Sequence, residues 1–124
     1  MNHEGREELL TPFLANRNYG GVRYFKRLPL SVLQILINHH FVEMGPWNDC
    51  PGVDQMFLPF LRRNPAFTAH GYVVDHERPD TRITLEGVER VGSLEKHEMI
   101  DFCTTFWGAD EVELTPSYAR CWYD

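Results

Sequence analysis

An α+β fold is what this chain predicts, and three observations carry the prediction. Residues 29–42, 53–63 and 94–107 repeat apolar side chains at helical spacing. Residues 67–75 and 81–91 alternate or mass apolar side chains as strands do, joined by a five-residue loop at 76–80. A second alternating pair, 110–114 and 118–123, closes around the turn Thr115-Pro116-Ser117. Hairpins interspersed with helices build an antiparallel sheet with helices packed on it. The expected architecture is a single domain over residues 1–124, with an antiparallel sheet of about four strands (two hairpins) and about three helices on one face.

Each element has its own justification. Residues 4–14 put Leu9, Leu10, Phe13 and Leu14 on a short helix that Thr11-Pro12 interrupts, because proline lacks an amide hydrogen and crowds the preceding turn. Asn16 to Gly21 reads as a loop. Pro29 suits a first helical position; Leu30, Leu33, Ile37 and Phe41 then share a face that Val32, Ile35 and Leu36 widen, and Gly45-Pro46 ends the segment. In 53–63, Val53, Met56, Phe57, Phe60 and Leu61 face inward, Pro59 kinks or divides the helix, and Asn64-Pro65 stops it. In 81–91, Arg82, Thr84 and Glu86 alternate against Ile83, Leu85 and Gly87. Ser93 is the expected N-cap of the next helix, whose apolar face holds Leu94, Met99, Phe102, Cys103 and Phe106, and Gly108 follows its end.

Composition removes several function classes. Hydrophobic residues are 43% of the 124, enough for a packed core, which argues against global disorder. The formal charge of −6 disfavours a general nucleic-acid or anionic-membrane binder, since phosphates need a surplus of Lys and Arg. No apolar run approaches the roughly 18 to 20 residues that span a bilayer. The charged stretch Met1 to Glu8 has no export-signal character, so Cys50, Cys103 and Cys121 are expected as free thiols in a reducing cytoplasm.

The chemical motifs are sparse. His39-His40, Cys50 and His70 are ligand types for zinc, the alternative reading, but their spacing matches no known ligand pattern, and two adjacent helical His diverge by about 100°. Asp75, His76, Glu77 and Asp80 crowd one loop with Arg78 and Arg82, which suits turn formation as well as acid–base work. No nucleophile elbow and no phosphate-binding glycine loop is present, so no cofactor is expected. Cys103 reads as core packing and Cys50 as the more exposed thiol. Helix, helix, strand pair resembles the order of a winged helix, with Arg23, Lys26, Arg27, Arg62 and Arg63 as a basic patch; Asp54 and Pro59 make 53–63 a poor recognition helix.

What remains is surface. Trp47, Asn48 and Asp49 put an aromatic in a polar loop, Trp107 ends a helix, and Tyr118, Trp122 and Tyr123 lie on the last strand. On that strand Tyr118, Arg120 and Trp122 share one face, while Ala119, Cys121 and Tyr123 share the other. Helices on one side leave one aromatic face without cover. The leading expectation is therefore a small acidic protein-interaction or regulatory module, partnered by another protein or by itself. If strand 118–123 is an edge, it is the place for homodimer pairing.

Overall fold

The computed structural model describes residues 1–46 and 50–124; Trp47, Asn48 and Asp49 lie outside the described residues. The described chain runs α1 (His3–Leu10), β1 (Val22–Leu28), α2 (Leu30–Asn38), α3 (Leu58–Arg63), β2 (Thr68–Val74), β3 (Arg82–Val91), α4 (Lys96–Phe106), β4 (Glu111–Thr115) and β5 (Tyr118–Trp122). A 3-10 turn follows α1 at Thr11–Phe13, and a π turn at Val53–Phe57 leads into α3. Among the described residues, no helix is long and apolar enough to cross a membrane.

The α+β class holds, and the two expected hairpins share one antiparallel sheet of order β1-β2-β3-β5-β4. It has five strands rather than four. The additional one is β1, and a bulge hid it. Between Phe25 and Leu28 the strand advances three residues while β2 advances two, from Gly71 to Ala69. Arg27 takes a left-handed φ of 62° there. The buried pair Phe25 and Leu28 is therefore spaced by three, which breaks the period of two.

The helices put their apolar side chains on one face of this sheet. Leu10, Leu33, Leu36, Phe57, Phe60, Leu61, Phe102 and Phe106 form one core with Phe25, Val73, Ile83, Leu85, Ala119, Cys121 and Tyr123. Phe60 lies edge-on to Phe67 and Phe106 at 4.8 Å between ring centroids, a preferred aromatic geometry. Pro59 falls in the first turn of α3, where its missing amide hydrogen costs nothing, so the π turn and α3 divide as the proline required. An ion-pair clamp fixes α1 to the sheet: Arg23 donates to both carboxylate oxygens of Glu7 at 2.5 and 2.7 Å and to Asp75 at 3.0 Å.

Four expectations are corrected. Residues 29–42 are not helical throughout: α2 ends at Asn38, and 41–43 bond instead beside β3, where Glu43 N–H donates to Ile83 and Ile83 N–H to Phe41. The cap of α4 is Glu95, not Ser93; its main-chain N–H donates to the Glu98 carboxylate at 2.9 Å in a reciprocal capping box. The thiols exchange places. Cys103 is exposed and Cys50 buried, because the buried stripe of α4 runs Glu98, Phe102, Phe106, and Cys103 lies about 100° off it. Finally, strand 118–123 is not an edge. β5 lies between β3 and β4, so it has no free side on which a second copy of the strand could pair.

Candidate functional site

The face of the sheet opposite the helices is the feature that needs an occupant. Residues directly opposite in adjacent strands share a face. Tyr24 pairs Tyr72, which pairs Thr84. At the other end Glu89 pairs Arg120, which pairs Glu113, and Trp122 pairs Glu111. Tyr24, Tyr72, Tyr118 and Trp122 therefore lie on a common face with the charged residues Glu89, Glu111, Glu113 and Arg120. None of these aromatics packs against the core, and Tyr24 is 46% exposed.

Two bulges shape the middle of this face. One is the bulge in β1 after Phe25. The other is in β3: His70 pairs Gly87 and Gly71 pairs Leu85, so Glu86 has no partner across β2. An extra residue re-aims the side chains around it. Past it the alternation expected from the sequence changes phase: Gly87 no longer shares the side of Ile83 and Leu85 but stands beneath His70. The two bulges flank β2 at one level, and a groove of about 230 Å³ lies there, lined by Tyr24, Lys26, His70, Gly71, Glu86, Glu89, Arg120 and Trp122.

The groove's polar groups are held in place from within the sheet. His70 is 8% exposed, and its Nε2–H donates to the Cys121 carbonyl at 2.8 Å. Burial pushes its pKa down, so the ring is neutral, with the proton on Nε2. Trp122 Nε1–H donates to Glu86 at 3.1 Å, and Tyr118 O–H donates to Glu89 at 2.6 Å. Burial raises the Glu86 carboxyl, and the Trp122 bond offsets only part of that. Among the described residues neither Glu86 nor Glu89 has a cation within ion-pair distance, whereas Arg120 reaches Glu111 at 3.6 Å. At the far end Arg82 donates to the Tyr72 hydroxyl at 3.2 Å and lies over its ring at 5.7 Å.

No family model, no curated protein and no solved structure matches this chain. Function has to be argued from the chain's own residues.

The sequence-derived candidates divide accordingly. Tyr118 and Trp122 are on the open face as their alternation required. Tyr123 is on the other side, 5% exposed, edge-on to Phe57 and Phe106, and so belongs to the core rather than to an interface. Trp107 is 83% exposed just beyond α4, away from the sheet face. Trp47, Asn48 and Asp49 fall outside the described residues.

The metal set does not assemble. His39 and His40 are exposed at the end of α2, while Cys50 and His70 are buried apart from them, and no group of three or more His, Cys, Asp or Glu able to hold a metal exists among the described residues. Two of the three loop acids are likewise committed: Asp75 to Arg23, and Asp80 to Arg78 at 2.9 Å. His76 stacks on His3 at 5.1 Å instead of meeting a carboxylate. In the helix that the winged-helix alternative would use for recognition, Leu58, Phe60 and Leu61 are buried in the core, and Arg62 and Arg63 are exposed. Sequence reasoning missed Tyr24, Tyr72, His70's place in the face, and Glu86. Tyr72 was readable as a strand aromatic, but Tyr24 lies on the strand that the β1 bulge hid, and the bulge that turns Glu86 onto the face leaves no signal in composition.

Proposed function

We propose that this protein is an interaction module that works as a homodimer, two copies packing through their helix-free sheet faces. The observation that carries the reading is the unpartnered aromatic face itself: Tyr24, Tyr72, Tyr118 and Trp122 lie on a surface no described helix covers. A second copy fits its charge pattern. With the two-fold axis parallel to β3, strand β1 of one protomer lies over β4 of the other, and β2 over β5. Lys26 then faces the Glu111 and Glu113 row, and Trp122 faces His70. An isologous interface requires this kind of self-complementarity.

Size sets the expected strength. Five strands about 4.8 Å apart, rising about 3.3 Å per residue, make a face on the order of 24 Å by 20 Å. That is at the low end of specific interfaces, so association in the micromolar range is expected. The β4 edge of the sheet does not compete. The outer strand β4 carries Glu111 and Glu113, and pairing two such edges would place like charges together.

Sedimentation equilibrium over a wide concentration range tests the reading. A reversible monomer–dimer equilibrium, weakened at least tenfold by Trp122→Ala or by Tyr24→Ala, is the expected result. A strict monomer at millimolar concentration, or a dimer indifferent to both substitutions, overturns it.

A further inference from the structure

The molecule holds a second candidate site at the far end of the sheet, where it shares Arg82 with the Tyr72 contact, and Arg6 is at its centre. Arg6 lies on the inward side of α1 and is 2% exposed, the one arginine of the described chain so deeply buried. A buried charge is normally paired, because the loss of hydration is otherwise uncompensated. The Arg6 guanidinium has one hydrogen bond, from Nη1 to the Thr81 hydroxyl oxygen at 3.0 Å, and it lies over the Phe41 ring at 5.6 Å. Its Nε has no partner, and no carboxylate stands within ion-pair distance among the described residues. The two nearest acids, Glu7 and Asp75, are both drawn to Arg23 by the clamp that fixes α1. They compensate Arg6 only at longer range.

Arg6 opens onto a cleft of about 360 Å³ that also exposes Arg82, His3 and His40. His40 is placed there by an unusual backbone. It occupies the left-handed position after α2, φ 63°, where glycine is the ordinary choice. Phe41 N–H donates back to Leu36 and His40 N–H to Ile37, closing the helix around it. An imidazole is thus held at a strained position beside two arginines. Two carboxylates oppose the positive field: Glu43 lines the cleft, and Asp80 reaches Arg82 at 3.5 Å.

We propose that this cleft binds a phosphoryl group, held by the Arg6 guanidinium and by Arg82, which turns to it from the Asp80 carboxylate and the Tyr72 hydroxyl, with His40 completing the contact. Phosphate and arginine match in charge and in the geometry of paired N–H donors. The group could be free phosphate or the phosphate of an organic monoester; both present the same three oxygens to Arg6, and only the ester needs room for an organic substituent.

Thermal melting and calorimetric titration at fixed ionic strength test it, with inorganic phosphate, glycerol 3-phosphate and acetate as probes. Phosphate is expected to raise Tm and to release heat on binding, with acetate much weaker, because a ligand that binds only the folded state stabilises it. Tighter binding of glycerol 3-phosphate than of phosphate identifies the ester; equal binding identifies the free anion. Arg6→Met should abolish the response while keeping or raising the basal Tm, since it removes a buried unpaired charge. His40→Gly should raise the basal Tm by relaxing the left-handed backbone and weaken phosphate binding several-fold. Arg82→Gln should weaken it roughly tenfold, the worth of one charge-assisted contact. A Tm and a heat signal indifferent to phosphate, or the full wild-type response retained in both His40→Gly and Arg82→Gln, overturns the site.

Discussion

His70 on β2 reaches across β3 to bond the main-chain carbonyl of Cys121 on β5, Nε2 to oxygen 2.8 Å, and it passes over Gly87 to do so. A Cβ on Gly87 would overlap the Cys121 carbonyl and stand 2.6 Å from His70 Nε2. One contact is backbone, which cannot withdraw without breaking the sheet. Gly87→Ala is expected to destabilise the protein by about 3 kcal/mol, the upper range of overpacking. Gly108→Ala meets nothing within 4 Å and should stay within about 0.5 kcal/mol of wild type. Urea titration of the two variants checks the contrast; equal midpoints would mean that the Cys121 carbonyl does not approach this glycine.

The same imidazole gives acid sensitivity with a definite sign. Burial lowers the His70 pKa below the value of about 6.5 that an unfolded chain gives it. Between the folded and unfolded values the unfolded chain binds more protons, so stability must fall as pH falls below about 6.5. His70→Gln keeps an N–H for the Cys121 carbonyl and cannot titrate. Its stability should be flatter than wild type as pH falls from about 7 to 5. An unchanged slope would remove His70 as the source.

The fold was legible where side-chain pattern and backbone period agree. Val53, Met56, Phe57, Phe60 and Leu61 all face inward, and Pro59 divides the segment as its chemistry dictates. Tyr118, Arg120 and Trp122 separate from Ala119, Cys121 and Tyr123 by strand alternation alone. Legibility stopped at the bulges. In β1 the shift after Phe25 spoiled the period, and in β3 Glu86 moved Gly87 onto the open face. Strand order was equally out of reach: nothing local says that β4, the first strand of the last hairpin, is the edge and β5 the inner strand. Arg6 was hidden for a different reason. Its burial depends on Phe41 and Thr81, which are 35 and 75 residues away in sequence, and on Arg23 taking both nearby acids.

Thiol chemistry separates the three cysteines. Cys103 is exposed on α4, whereas Cys50 and Cys121 are buried. Burial raises both buried thiols, Cys121 to about 12, which suppresses the thiolate that reacts. Native protein treated with a thiol-specific disulfide reagent should show one fast equivalent, and the other two only on unfolding. Cys103→Ser should remove the fast phase. A fast phase surviving that change would place Cys50 or Cys121 at the surface.

Asp101 joins α4 to the end of α3. It accepts from Arg63 at 2.8 and 3.0 Å, from the buried Asn64 amide at 2.7 Å and from Thr105 at 3.2 Å. The Arg63 bonds, aided by Asn64, hold its carboxyl below the usual range. A depressed carboxylate stabilises the fold above its unfolded value of about 3.9, and that contribution is lost as pH falls further. Asp101→Ala should cost about 1–3 kcal/mol at neutral pH, chiefly because the Asn64 amide loses its charged acceptor. Thermal melts at neutral and at acid pH check both statements: the gap between variant and wild type should narrow in acid, and a constant gap would rule out the charge as its origin.

The last strand separates structural from surface aromatics within two residues. Among the described residues β4 has no strand partner other than β5, the Tyr123 N–H donates to the Glu86 carbonyl at 2.7 Å, and the Tyr123 ring is edge-on to Phe57 at 6.1 Å. Deleting residues 120–124 strips β4 of its ladder and opens the core, so the truncated chain should show no cooperative melt. Tyr123→Ala should cost about 3–5 kcal/mol, as for other large aromatic truncations in cores. Trp122→Ala, one residue earlier, removes a ring on the open face and should change the monomer's stability by about 1 kcal/mol, the worth of its hydrogen bond to Glu86. Circular dichroism melts of the three variants at low concentration decide the matter. If Trp122→Ala unfolds the protein and Tyr123→Ala does not, the assignment of the two faces of β5 is reversed, and the dimer surface built on Trp122 is withdrawn with it.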